Sequence, residues 1–263
     1  MNRADLPIGV LDSGLGGLAV VRALRRHLPG EAIVYLGDTA RGPYADKSPA
    51  TIQRFTLEAG AALVRHHPKL IVMTCSTATA HALGALQAAV SCPVIGLIEP
   101  GAQAAAEVAG PVGVIAPPSA IRSGAFEAAI RRLKPKAVIH TLACPLLGDL
   151  AEEGWLDDPI TDAICRRYLN QIPFAVHTVL LGCTRYSALL PSLGRVRANT
   201  RWLDSAELTA LAAEQLLRGG LGFRTESARG DLQVRLTDLT ESGRLIGERF
   251  LGEPLPQVEQ LGS

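Results

Sequence analysis

Leu70-Ile71-Val72-Met73-Thr74-Cys75-Ser76-Thr77 and Val179-Leu180-Leu181-Gly182-Cys183-Thr184 follow one pattern. Each is a short aliphatic run, suited to a strand buried on both faces, that ends on a cysteine followed by hydroxyl residues. Each then enters a helix-like stretch, Ala78-Thr79-Ala80-His81-Ala82-Leu83 in the first case and Ser187-Ala188-Leu189-Leu190 in the second. The C-terminal end of a strand, where a helix opens, is where open α/β sheets bind ligands. A helix N-terminus there also favours a thiolate. Two such thiols in two similar halves can face each other across one substrate.

The likeness between the halves runs further. Pro7-Ile8-Gly9-Val10-Leu11-Asp12 matches Pro111-Val112-Gly113-Val114-Ile115-Ala116. Cys75 follows Asp12 by 63 residues, and Cys183 follows Ala116 by 67. Val94-Ile95-Gly96-Leu97-Ile98-Glu99 then answers Arg201-Trp202-Leu203-Asp204, an apolar strand closing on a carboxylate. Three matches in one order read as an internal repeat, giving two α/β units of roughly 100 residues each. Strand-like runs at 7–11, 32–36, 69–74, 93–98, 111–116, 136–141, 175–181 and 200–203 alternate with amphipathic stretches such as 18–28, 50–65 and 120–133. That alternation predicts an α/β protein with mainly parallel sheets covered by helices on both faces.

Ser205 is placed to cap a helix running to Leu217, which Gly219-Gly220 would stop. The tail differs in character. Leu232-Gln233-Val234-Arg235-Leu236-Thr237 alternates like an edge strand, and a capped helix is expected from Thr240 to Leu251. Since the second unit closes at Asp204, the tail is expected to pack on the first, making that domain discontinuous: 1–98 plus 205–263, with 99–204 as the second domain. The Pro- and Gln-containing residues beyond Gly252 are expected to fray.

The 263 residues are 48% hydrophobic and 4% aromatic, so the cores are aliphatic and Ala-rich. A net charge of +1 leaves no electrostatic footprint for nucleic acid. The start, Met1-Asn2-Arg3-Ala4-Asp5-Leu6-Pro7, carries no hydrophobic signal core, and no apolar stretch approaches the roughly 20 residues that span a bilayer. Five cysteines, an odd number, point to a reducing cytoplasm. Cys92, Cys144 and Cys165 lack the strand-end setting of the other two and are expected to be buried structural thiols.

Other chemistries fit less well. Gly14, Gly16 and Ala19 satisfy G-x-G-x-x-A, with Asp38 about 20 residues on, as a dinucleotide fingerprint requires. Against that, Asp12 and Ser13 stand between strand and glycines, and Asp12 would set a negative charge beside a pyrophosphate. Alternatively Asp12 and Ser13 line a small-molecule site, the glycines allowing a tight turn, or the segment is a plain strand-to-helix turn. Thiols this far apart, with no C-x-x-C and no adjacent histidine pair, give no metal site. A protease would need one nucleophile, not two equivalent thiols. Two thiols do suit inversion at a carbon bearing an acidic hydrogen: one thiolate takes the proton from one face and the opposing thiol returns one to the other. Polar groups must then stabilise the carbanion, because no nicotinamide, flavin or pyridoxal signature supplies an electron sink, and no cofactor is expected.

With these residues in view, the chain resembles the glutamate racemases of the aspartate/glutamate racemase superfamily over nearly its whole length. The resemblance rests on residues 9–17, on Gly37-Asp38-Thr39-Ala40-Arg41-Gly42-Pro43-Tyr44, and on Cys75-Ser76-Thr77-Ala78. It continues through Gly96-Leu97-Ile98-Glu99-Pro100-Gly101, Glu152-Glu153-Gly154-Trp155, Gly182-Cys183-Thr184 and Glu248-Arg249-Phe250-Leu251-Gly252. It implies two pseudo-symmetric three-layer α/β domains with the site in the cleft between them. It further implies Cys75 and Cys183 as catalytic acid/base thiols, Asp12 assisting the Cys75 side and Glu152 the Cys183 side. Ser13, Pro43, Tyr44, Ala45, Ser76, Thr77, Ser119, Thr184 and Arg185 would bind the amino-acid substrate. The implied product is D-glutamate for peptidoglycan, made without cofactor in the cytoplasm, and family members are often homodimers.

Four places depart from the family pattern. Ser76 stands where the family has asparagine, Ala45 where it has glycine, and Arg185 where it has histidine. Ala116-Pro117-Pro118-Ser119-Ala120 replaces Gly-Thr-x-Ala-Thr. Histidine can relay a proton near neutral pH and arginine cannot, but Arg185 can place positive charge beside Cys183 or grip a carboxylate bidentately. These changes leave two alternatives open: a racemase-like protein refitted to another amino acid, and an impaired homologue that binds a ligand or partner.

Overall fold

A computed structural model describes residues 2–225 and 228–261. The strands are β1 (Ile8–Asp12), β2 (Ile33–Gly37), β3 (Leu70–Met73), β4 (Val94–Gly96), β5 (Val112–Ala116), β6 (Ile139–Ala143), β7 (Thr178–Leu181), β8 (Arg201–Asp204), β9 (Leu232–Leu236) and β10 (Val258–Gln260). Among the described residues they form two sheets, ordered β10-β9-β2-β1-β3-β4 and β6-β5-β7-β8, and every pairing is parallel. Strands β2-β1-β3-β4 correspond one for one with β6-β5-β7-β8, so the sequence repeat is a repeat of topology. Burial explains the aliphatic runs: every residue of β1, β2, β3, β5 and β7 is buried.

The covering helices are α1 (Leu18–His27), α2 (Pro49–Val64), α3 (Ser76–Ala89), α4 (Ile98–Ala106), α5 (Pro118–Arg122), α6 (Ala125–Leu133), α7 (Pro145–Glu153), α8 (Pro159–Leu169), α9 (Leu190–Val196), α10 (Ser205–Leu216) and α11 (Glu241–Leu251). Parallel strands need crossovers, and these helices supply them, so all strand C-terminal ends of a sheet share one rim. The two strand-end cysteines therefore occupy equivalent places, Cys75 beyond β3 and Cys183 beyond β7.

Several local expectations are corrected. The stretch 120–133 is two helices: Gly124 takes φ +67°, a left-handed conformation that breaks the run, and the Ser123 hydroxyl accepts the Ala125 N–H at 3.2 Å. The cap of α10 is Asp204, which accepts the Ala206 N–H at 2.9 Å, and Ser205 is the first helical residue. Strand β9 is not an edge, because β10 pairs along its outer side; Val258–Gln260 are thus ordered by ladder bonds rather than frayed. Residues 262–263, included in the same expectation, lie outside the described residues. Cys144 does occupy a strand end, closing β6 and preceding α7, although it is fully buried; Cys92 is half-buried. Thr240 caps α11 as expected, accepting the Gly243 N–H at 3.0 Å.

Candidate active site

Asp12 closes β1, and its carboxylate is buried in the turn that follows. Thr74 Oγ1 donates to it at 2.8 Å and the Gly14 N–H at 3.0 Å. Burial raises the Asp12 pKa above its ordinary 3.8, while Thr74, the Gly17 and Gly14 N–H groups and the Arg185 charge oppose the rise. This disposes of the dinucleotide reading. The glycine N–H groups that would hold a pyrophosphate are turned onto Asp12. The Asp38 carboxylate, fully buried, is occupied by Tyr44, Arg41 and Thr237.

Cys75 caps α3. Its sulfur accepts from Ser13 Oγ at 3.1 Å and from the Ala78 N–H at 3.5 Å. Burial and the neighbouring Asp12 carboxylate push its thiol up to about 11, against those two donors. Its surroundings thus favour the thiol over the thiolate at neutral pH.

Across the cleft, Cys183 leads into the turn Thr184–Leu189, which carries Arg185. Arg185 Nη1 donates to Glu152 Oε1, at the end of α7, at 2.9 Å. Burial disfavours the Arg185 cation, but Cys183 and Glu152 outweigh it and raise its pKa, so it stays charged.

These groups line one cavity of about 280 Å³, just below the usual range for small-molecule sites. It receives Asp12, Ser13, Pro43, Tyr44, Ala45, Cys75, Ser76, Thr77, Glu152, Cys183, Thr184 and Arg185, together with Pro117 of the altered loop. Ser119 is not in its wall; the buried hydroxyl lies 3.2 Å from His81 Nε2 on α3. The Tyr44 hydroxyl donates to Asp38 and is thus engaged within the protein. Among the described residues no group of three His, Cys, Asp or Glu side chains could hold a metal ion, and no helix is long and apolar enough to cross a membrane.

One wall went unread in the sequence. Asp238, Leu239, Thr240, Ser242, Gly243 and Ile246 close the cavity with the start of α11. Reciprocal bonds hold them there: Asp238 N–H to Thr39 Oγ1 and Ala40 N–H to Thr237 Oγ1, each at 2.9 Å. The strand at 232–236 was visible in the sequence, but its parallel pairing with β2, which brings its end to the rim of Asp12 and Cys75, was not.

Paired thiols at matching strand ends, sharing one cavity with the carboxylates of Asp12 and Glu152, have the composition of a site for acid/base chemistry on a small ligand. The chain belongs to the Asp/Glu/Hydantoin racemase family, whose model matches residues 8–213. It is 44% identical over 258 residues to the glutamate racemase of Geobacter metallireducens, covering 97% of this chain and 96% of that protein. With the glutamate racemase of Chlorobaculum tepidum it shares 40% over 266 residues, covering 98% and 97%. The crystal structure of glutamate racemase from Francisella tularensis in complex with D-glutamate superposes with a TM-score of 0.92 at 32% identity, covering 98% of this chain and 97% of that one. The Thermus thermophilus enzyme in complex with beta-chloro-D-alanine gives 0.90 at 39% identity, again covering 98% and 97%.

Proposed function

We propose that this protein is a cofactor-independent glutamate racemase that interconverts L- and D-glutamate and supplies D-glutamate for peptidoglycan. The observation that carries this reading is that Cys75 and Cys183, at equivalent ends of β3 and β7, line the same small cavity. One cysteine, as thiolate, takes the Cα proton from one face, and the other, as thiol, returns a proton to the opposite face. Each turnover leaves the two sulfurs with exchanged protonation. Asp12 serves the Cys75 side, where burial and then the Asp12 carboxylate favour the protonated thiol, and Glu152 serves the Cys183 side. Ser13, Ser76, Thr77, Thr184 and the backbone of residues 43–45 form the polar surround that fixes the amino acid.

The joining of β9 and β10 to the first sheet supports a division into 1–98 plus 205–263 and 99–204, with substrate held between. Five free thiols suit a reducing cytoplasm, and the resemblance to the family suggests a homodimer.

A second reading, refitting to another amino acid, is favoured by Pro117 and Arg185 in the wall, where the family pattern has threonine and histidine. NMR in D₂O with each enantiomer of glutamate, then aspartate and other amino acids, tests both. Loss of the Cα–H signal with appearance of the other enantiomer is the expected result for glutamate. Exchange of a different amino acid alone selects the second reading, and no exchange with any overturns both.

A further inference from the structure

Asp12, Glu152 and Asp238 all line the cavity, yet among the described residues Arg185 is the one cation that does so. A carboxylate-bearing substrate entering this site has Arg185 as its charged partner. The side chain is also held in place. Its stem lies over Gly16, where an added Cβ would come within 2.6 Å of Arg185 Cγ, and its guanidinium lies flat on Gly148, where a Cβ would sit 2.6 Å from Cζ. The two glycines belong to opposite halves, so Arg185 bridges the cleft with its head fixed at the second. Glu152 accepts from Nη1, and the nearby Cys183 sulfur favours the cation. Of the five guanidinium N–H donors, the rest have no protein partner among the described residues. The Arg185 side chain remains 18% exposed.

We propose that Arg185 is a catalytic residue that grips the substrate's α-carboxylate and takes up the charge of the α-carbanion, with Glu152 as the positioning residue that aims it; the proposal rests on the reading as an amino-acid racemase. When a cysteine thiolate removes the Cα proton, the electron pair left on Cα spreads into the adjoining carboxylate, making an enediolate dianion. The opposing thiol then donates its proton to Cα, and the carboxylate returns to a single charge. The interaction with a fixed guanidinium is stronger in the dianion than in the bound amino acid, and that difference is what lowers a barrier. A cation beside the reacting sulfur reaches the carboxylate attached to the carbon that sulfur deprotonates. Arginine in place of histidine thus exchanges proton relay for permanent charge.

The groups facing Arg185 are Glu152 from α7, Asp12 from β1, Cys183 and Tyr186 from its own turn, and Cys75 across the cavity, which interacts with Cys183. None is a second cation that could replace it.

The test compares the wild type with Arg185→Gln, Arg185→Lys, Arg185→His and Glu152→Gln, reading kcat, KM, pH profile and ligand binding separately. For Arg185→Gln, kcat falls about 10²–10³-fold, the scale of one lost charge-stabilising donor in a transition state. Calorimetric affinity for D-glutamate falls roughly ten- to a hundredfold. Arg185→Lys recovers part of both. Arg185→His is active at low pH and loses activity as pH rises through the ordinary histidine range of about 6.5, a fall the wild type lacks. Glu152→Gln impairs the wild type but adds little to Arg185→Gln, since it acts through that residue. Higher turnover by Arg185→His across the pH range, or an Arg185→Gln enzyme with unchanged kcat and KM, overturns the proposal and leaves the racemase reading standing. A wild type that exchanges no amino acid, yet binds D-glutamate more than tenfold tighter than Arg185→Gln does, overturns that reading and keeps the anchor. If Arg185→Gln fails to fold, the Lys and His variants decide by the same profile.

Discussion

Thr74 Oγ1 donates to Asp12 Oδ1 at 2.8 Å, so the residue immediately before Cys75 anchors the carboxylate proposed to serve that thiol. The contact joins β3 to β1, and Gly17 makes room for it: a Cβ there would fall 2.2 Å from Thr74 Oγ1 and 2.8 Å from Asp12 Cβ. Thr74→Val keeps the shape and removes the donor from a buried carboxylate. Stability should fall by about 1.5–3 kcal/mol at neutral pH, with the Asp12 pKa driven further up. Denaturant unfolding measures the first, and a wild-type midpoint would show that the contact is idle.

Asp12 itself gives a signed pH effect. Burial raises its folded pKa above 3.8, so the folded state holds this proton to higher pH than the unfolded chain does. The group's contribution to stability is then fully present below 3.8 and is lost as pH rises through the raised value. Asp12→Asn removes the titration. The Tm of the variant minus that of the wild type should therefore increase with pH above about 4, while racemisation drops. A difference that stays flat with pH contradicts the raised pKa.

The two thiols should separate by enantiomer. Cys75→Ser and Cys183→Ser should each reduce racemisation by about 10²–10⁴-fold. Each should still exchange the Cα proton of one enantiomer with D₂O, and the two should differ in which. Equal impairment of exchange from both enantiomers by either change would rule out the two-face assignment.

The opposite end of the first sheet bears on folding alone. Lys69, fully buried at the start of β3, pairs with Glu31 Oε2 at 2.6 Å and donates to the backbone carbonyls of Ala4 and Gly222. Lys69→Met strands a buried carboxylate and should cost about 3–5 kcal/mol. Adding Glu31→Gln should restore much of it. Turnover at a temperature where the variant is folded should match the wild type, and a changed kcat would link this pair to the site.

Much of this was legible from sequence because parallel strands buried on both faces leave a plain signature. Residues 70–73 and 178–181 are aliphatic or β-branched throughout, so their ends, and with them Cys75 and Cys183, could be found by eye. Asp12 followed from the same rule at β1. The start of α11 was hidden, because its place depends on β9 crossing to β2 from nearly 200 residues away, which no local pattern encodes. Gly124 was hidden for a different reason: helical periodicity continues on both sides of it, and only the backbone reveals the break. The identity of Arg185 was visible but its engagement was not, since Glu152 lies 33 residues earlier on another element.

That engagement can be broken without touching either charge. A Cβ at Gly148 would lie 2.6, 2.7 and 2.9 Å from Cζ, Nη2 and Nη1 of Arg185. The obstructed atoms are the far end of a long side chain, so Gly148→Ala should displace the guanidinium rather than unfold the helix. Alanine is also the better helix former, by about 1 kcal/mol, and Gly148 sits inside α7. The variant should therefore be at least as stable as the wild type and yet lose kcat in the manner of Arg185→Gln, with the double variant no worse than either single one. Thermal unfolding and steady-state rates on the same preparations provide the check. Full activity in a stable Gly148→Ala protein would mean that the placement of Arg185 over this glycine does not matter to the reaction.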